Sequence, residues 1–247
     1  MSTAPVLLAA AATLAALAPS APANTEEGGP VVVVVRVPKP WYAPRAAISA
    51  KMRDTVPQYA QLPGLLFKAY SFERDSGDFG GIYYWRSRSE AQRWFGPAWF
   101  ERVRRERGVE PSVRFVAAPL SIDNQPGGTP AASAAPAVAT WVRVPVPAGV
   151  TREALLALFR QSVPEHQQAA GLLRKHFTVG DDGTVGGVYL WRDEASARAW
   201  FNAAWQTRVQ QRAGAAATIE WFDTPILTPT QEAANTAPAG AMIVAAP

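Results

Sequence analysis

The chain has no cysteine and only two histidines, His166 and His176, in 247 residues. Without thiols there is no disulfide framework, thiolate metal site, cysteine nucleophile or lipid-modified terminal cysteine. Two histidines are too few for a His-rich metal centre, so no metal is expected. Charge is sparse as well, at 18% of residues, with Lys+Arg 24 against Asp+Glu 20. The net +4 is scattered without a long basic run, whereas phosphate-binding faces cluster their Lys and Arg. Nucleic acid is therefore not an expected partner. No Ser-His-Asp or paired-carboxylate motif occurs at informative spacing. What is plentiful is apolar: 48% hydrophobic with 9 Trp, ordinary for a globular protein.

Residues 6–18 are Ala/Leu-rich and uncharged, and small residues ending in Ala21-Pro22-Ala23 follow. This pattern reads as a secretory signal over 1–23, cleaved before Asn24, although no Lys or Arg precedes the apolar run. The run falls short of the roughly 20 residues of a spanning helix. The expectation is an exported protein, periplasmic or secreted, with no stable membrane span once the signal is removed.

The remainder is one unit written twice. Val35-Arg36-Val37-Pro38 recurs as Val142-Arg143-Val144-Pro145, and Gly64-Leu65-Leu66 with Lys68 recurs as Gly171-Leu172-Leu173 with Lys175. After a one-residue gap, Gly80-Gly81-x-Tyr83-x-Trp85-Arg86 matches Gly186-Gly187-x-Tyr189-x-Trp191-Arg192. Trp94-Phe95, Trp99 and Arg102-Val103 match Trp200-Phe201, Trp205 and Arg208-Val209. Fixed-period self-similarity marks a repeated structural unit. The copies span 30–124 and 138–227, with a Pro/Gly/Ala-rich linker at 125–137 and a loose tail at 228–247.

Each copy predicts β-α-β-β-α-β. First strands fall at 31–37 and 139–144. The next helix starts near Pro44 in copy one and at an N-cap Thr151 in copy two, with Leu155, Leu158, Phe159 and Ser162 on one face. Pro57 and Pro164 are expected to kink or end these helices. Ala91, Trp94, Phe95, Ala98, Trp99, Arg102 and Val103 lie on one helical face, capped by Ser87 with Glu90, or by Asp193 in copy two. Pro97 is expected to kink this helix in copy one, leaving it straighter in copy two. Closing strands are expected at 112–116 and 218–222. Both helices then cover one face of a four-stranded antiparallel sheet, and the other face stays bare. Strand alternation assigns Tyr83, Trp85, Tyr189, Trp191 and Trp141 to that bare face. A second copy is the natural cover, giving two sheets packed face to face in a monomeric pseudo-dimer with a barrel-like interior.

The segments "PGLLFKAYSFERDSGDFGGIYYW" and "AGLLRKHFTVGDDGTVGGVYLWRDEASARAWF" resemble the YdhR-type family of candidate monooxygenases in the dimeric α+β barrel superfamily. Phe222-Asp223-Thr224-Pro225 and Leu120-Ser121-Ile122-Asp123-Asn124 resemble that family's carboxyl end. The resemblance implies an α+β fold of two ferredoxin-like repeats and a kinship with small oxygenases that need neither metal nor flavin. The family is usually one domain per chain. Its members often carry a His where Trp99 and Trp205 stand here, so no role for that His transfers.

Lys68 and Lys175 alternate with apolar strand residues. They read either as partly desolvated lysines stabilising a developing enolate or phenolate, or as lysines snorkelling to a rim or pairing with a carboxylate. Tyr83, Trp85, Tyr189 and Trp191 either stack on a flat ligand or pack a core. Arg36 and Arg143 either bind a ligand carboxylate or form ion pairs, as Arg114 and Glu220 would across the pseudo-twofold. His166 and His176 have no counterparts in the other copy; a haem ligand is the functional reading of either. Gly80-Gly81 and Gly186-Gly187 open no helix and read as hairpin or bulge glycines rather than a phosphate cradle. Two functions follow. One is a cofactor-independent oxygenase acting on a small apolar or aromatic, quinol-like molecule. The other is a non-catalytic, exported module that binds a small ligand or serves in stress.

Overall fold

A computed structural model describes residues 28–124, 138–228 and 243–244. The signal (1–23), the linker (125–137) and most of the tail lie outside the described residues. Strand β1 (Val31–Val37), helix α1 (Arg45–Ala60), β2 (Leu65–Glu73), β3 (Phe79–Trp85), α2 (Arg88–Trp94), α3 (Pro97–Arg107) and β4 (Ser112–Asp123) form the first half. The same order follows in β5 (Val138–Pro145), α4 (Arg152–Gln167), β6 (Leu172–Gly180), β7 (Thr184–Trp191), α5 (Glu194–Trp200), α6 (Ala203–Ala213) and β8 (Thr218–Leu227). A short β9 (Ile243–Val244) pairs parallel with β4, and Thr228 is buried against the Lys68 backbone. Parts of the expected loose tail therefore belong to the fold.

Eight antiparallel strands close into one barrel, in the order β1-β3-β2-β8-β5-β7-β6-β4 and back to β1. The inner faces of the two halves meet across the barrel interior, and their edges are also joined by strand pairing. The cause of the edge pairing is the length of the closing strands. β4 runs 12 residues and β8 runs 10, well past the expected 112–116 and 218–222. Beyond a register shift between Ala117 and Leu120, β4 pairs with β6, matching Ser121 to His176 and Asp123 to Arg174. β8 pairs with β2 in the same way, matching Leu227 to Ala69. Each extension covers a strand edge that would otherwise lie open.

The barrel interior is a packed core built from both halves, including Val34, Phe67, Ile82, Tyr84, Trp141, Val188 and Phe222. Trp141 faces inward as expected. Tyr83, Trp85, Tyr189 and Trp191 point the other way, into the layer between sheet and helices, where they pack on Phe95 and Phe201. The strands keep the expected two-residue alternation in the opposite phase, because the aromatic-rich β3 and β7 bury both faces and give no polar side to orient by. Gly80 stands where a Cβ would overlap the Val35 carbonyl oxygen, and Gly186 repeats this against Val142. These glycines sit within strands, where backbone must approach closely, rather than in a turn.

The helices begin where their caps dictate. Thr151, Ser87 and Asp193 accept from the backbone N–H of Ala154, Glu90 and Ser196. Pro57 and Pro164 lie inside α1 and α4 without ending them. Leu158 is 54% exposed, off the buried face made by Leu155, Phe159, Val163 and His166. The expected single second helix is broken in both halves, at Phe95–Gly96 and at Phe201–Asn202. Pro97 opens α3, and Asn202 caps α6 by accepting from Trp205 N–H at 2.9 Å. The second copy is thus no straighter than the first.

Candidate functional site

Helices α1 and α3 stand off the outer face of β1, β2 and β3, and a cavity of about 510 Å³ opens between them. That volume lies within the roughly 300–1,000 Å³ of small-molecule sites. Ile48, Met52, Thr55 and Tyr59 fall four, three and four residues apart along α1, a helical spacing that directs all four at the cavity. Lys68 and Tyr70 come from β2, and Tyr83 from β3.

Lys68 is 3% exposed. Its Nζ lies 3.3 Å from the ring centre of Tyr59, 3.6 Å from Tyr70 and 4.7 Å from Tyr83. No carboxylate pairs with it among the described residues. Burial drives its pKa well below the usual 10.5, while the tyrosine faces favour the ammonium and push back. The phenols are held as neutral hydroxyls: burial raises the pKa values of Tyr59, Tyr70 and Tyr83. Tyr83 hydrogen-bonds Tyr59, and the hydroxyls of Tyr70 and Thr55 are 2.6 Å apart. Gly81 makes room for the lysine stem, since a Cβ there would crowd Lys68 Cε at 3.1 Å.

The corresponding place in the second half is built differently. Lys175 is equally buried, but its Nζ lies 2.7 Å from His166 Nε2. His166 Nδ1 lies 2.7 Å from the Ser162 carbonyl and must donate to it, so Nε2 is the acceptor and Lys175 the donor. Burial, then the lysine's charge, lowers the His166 pKa to about 3. His166, Phe177 and Phe159 occupy the positions of Tyr59, Tyr70 and Met52. Trp200 packs 5.0 Å from the imidazole. A smaller hollow of about 290 Å³ in this half, beside Arg198 and Trp221, does not include Lys175.

Of the remaining expected site residues, Tyr83 lines the cavity, whereas Trp85, Tyr189 and Trp191 are packed away in the helix–sheet core. Arg36 and Arg143 converge on Glu220 and bind its two oxygens. Arg114 pairs with Asp182 instead of Glu220, at 3.0 Å. His176 is inside the barrel, stacked on Tyr84 at 4.1 Å, with Nδ1 2.7 Å from Ser121 Oγ. Neither histidine lines the cavity. Among the described residues no group of three His, Cys, Asp or Glu is placed to hold a metal, and no helix is long and apolar enough to cross a membrane. Sequence reasoning missed Tyr59, Tyr70 and Thr55. Their signal was the divergence of Tyr59/His166 and Tyr70/Phe177 around a lysine that both copies share.

No family model and no curated protein sequence matches the chain. Solved structures do. A candidate monooxygenase from Fusobacterium nucleatum aligns with TM-score 0.61 and 11% identity over 81% of this chain and 94% of its own. An anthrone oxidase-like protein gives TM-score 0.54 and 13% identity, over 86% and 98%. A candidate monooxygenase from Lactobacillus acidophilus gives 0.53 and 10%, over 82% and 97%. Each match takes in almost all of a single neighbour chain, so both halves of the barrel are covered. At this identity the likeness speaks for architecture alone, and it does not single out the YdhR-type branch: this chain has the closed, eight-stranded antiparallel α+β barrel fold that these solved proteins share.

Proposed function

We propose that the protein is a monooxygenase-like enzyme that oxidises a small aromatic or quinol-like substrate in the first-half cavity, with the substrate itself as the electron source. The observation that carries this reading is Lys68, a buried amine with no carboxylate partner among the described residues, on the wall of a ligand-sized cavity. Burial shifts Lys68 toward its neutral amine, the form able to accept a proton, which a solvated lysine rarely presents at neutral pH. A phenolic O–H aimed at Nζ gives up its proton, leaving a phenolate beside an ammonium that three tyrosine faces help to hold. The electron-rich anion then reacts with oxygen. For an anthrone, whose enol form carries the phenolic O–H, the CH₂ between the two rings and O₂ give C=O and water. For a quinol, one ring C–H becomes C–OH while the two phenol groups become quinone carbonyls, and again one oxygen atom is retained and the other leaves as water. The monooxygenase descriptions of the structural neighbours support this class of reaction. In the same reading the chain is a duplicated, exported monomer, and Lys175, bound to His166, has a structural role.

The test is oxygen uptake with hydroquinone and anthrone substrates by wild type, Lys68→Met and Lys175→Met. Wild type should consume oxygen above background, and Lys68→Met should lose about 10²-fold or more, as expected for a lost proton acceptor. Lys175→Met should retain most of the rate. Equal rates in wild type and Lys68→Met would remove the proposed role. A second reading, ligand binding without turnover, is favoured by the cavity lining, which offers Glu106 as its single carboxylate and no histidine. Saturable binding with no oxygen uptake would establish it.

A further inference from the structure

The cavity is unbalanced in charge. Beside the buried amine of Lys68, the cations Lys51, Arg102 and Arg107 line it, opposed by Glu106 alone. Among the described residues none of Lys51, Arg102 or Arg107 forms an ion pair. Arg102 instead lies 6.0 Å from the Trp94 ring and Arg107 5.9 Å from Phe79. The imbalance belongs to this half. By the repeat offsets of 107 and 106, Leu158 stands in place of Lys51 and Ala213 in place of Arg107, while Arg212 replaces Glu106. The half without an open lysine cavity thus also lacks two of the three rim cations. Lys68 sits buried at the sheet floor, and Lys51 and Arg107 are exposed on the flanking helices, so the buried amine and the rim cations lie at opposite ends of the space.

We propose that the ligand of this cavity is an aromatic acid, with a phenolic or quinol hydroxyl directed at Lys68 and a permanently ionised carboxylate held at the rim by Lys51, Arg107 and Arg102. This rests on the cavity being the ligand site, and it goes further by fixing the substrate class. The deep end takes a group that ionises during reaction. The outer end takes one already ionised and so sets the orientation of the ring. Confinement between two helices and a sheet strengthens rim attraction relative to open water, and salt weakens it.

The experiment is calorimetric titration, under nitrogen, of 4-hydroxybenzoate and its neutral methyl ester into wild type and into Lys51→Ala/Arg107→Ala. Both substituted side chains are exposed, so the fold should survive, and matching circular dichroism spectra would verify it. Wild type should bind the acid roughly tenfold more tightly than the ester, a ratio that falls to within about twofold in the double variant or at 0.5 M salt. Equal affinity for acid and ester in wild type overturns the proposal, as does binding of neither, or a preference that survives the double substitution. The measurement is independent of turnover. A salt-sensitive acid preference without oxygen uptake leaves the anion subsite standing and removes the oxygenase reading; oxygen uptake without acid preference does the reverse.

Discussion

At Lys68 the fold buries an amine that no carboxylate among the described residues meets, and the consequences are measurable. Its folded-state pKa lies well below 10.5, so the unfolded chain binds more protons between the two values, and stability rises with pH through that window. Lys68→Met removes the desolvated amine while keeping the stem's bulk. It is expected to be as stable as wild type at pH 7, and to flatten the rise in urea midpoint from pH 7 to pH 9. A loss of more than about 1 kcal/mol would show that the ammonium is well compensated after all. Lys175 shares the depressed pKa and will sustain part of the slope. The histidines act at the acid end. His166 titrates near 3 when folded against 6.5 when unfolded, so below pH 6.5 the unfolded chain takes up the proton first and stability falls with falling pH. The slope is at most about 1.4 kcal/mol per pH unit for one group. His166→Tyr, which installs the residue found at the equivalent Tyr59, should lower the urea midpoint less between pH 7 and pH 5 than wild type shows.

Single elements carry their own tests. The α5–α6 break depends on Asn202, whose side chain satisfies the Trp205 N–H. Asn202→Ala should cost about 1 kcal/mol by thermal or urea unfolding; no change would mean that the Phe201 turn holds the break unaided. Gly80 is less forgiving. An added methyl meets the Val35 carbonyl oxygen, which belongs to a paired strand and cannot withdraw, so Gly80→Ala should lose several times more than Asn202→Ala. Gly108 is a useful contrast: open space surrounds it, and the strain of its φ of 68° is the main obstacle to a side chain.

The whole molecule depends on two seams, β4–β6 and β2–β8, and on a core shared by both halves. Cleavage at a protease site introduced within 125–137 should leave the two fragments co-eluting at the size of the intact chain, because the seams and the interior outlast the covalent link. Separation into two folded halves would refute this account of the barrel. Glu220 is a second lever, since it joins Arg36 of the first half to Arg143 of the second. Glu220→Gln leaves two guanidiniums facing each other with their desolvation uncompensated. It should destabilise by about 2 kcal/mol, somewhat below the cost of breaking a fully buried pair, because these side chains keep some exposure to water.

The sequence by itself determined the repeated order of strands and helices, the caps at Ser87, Thr151 and Asp193, and the equivalence of Lys68 and Lys175 in the two copies. Each rests on local chemistry or on a pattern written twice along the chain. It could not determine which face of β3 points inward, because Tyr83 and Tyr84 are both buried and alternation needs a polar side to be read. Nor could it show how far β4 and β8 run, since the residues that pair with their ends lie in the other half. The cavity is tertiary in the same sense. Met52, Tyr59, Lys68 and Arg102 come from three separate elements, and only their packing decides that one lysine faces open space while its twin is stopped by His166.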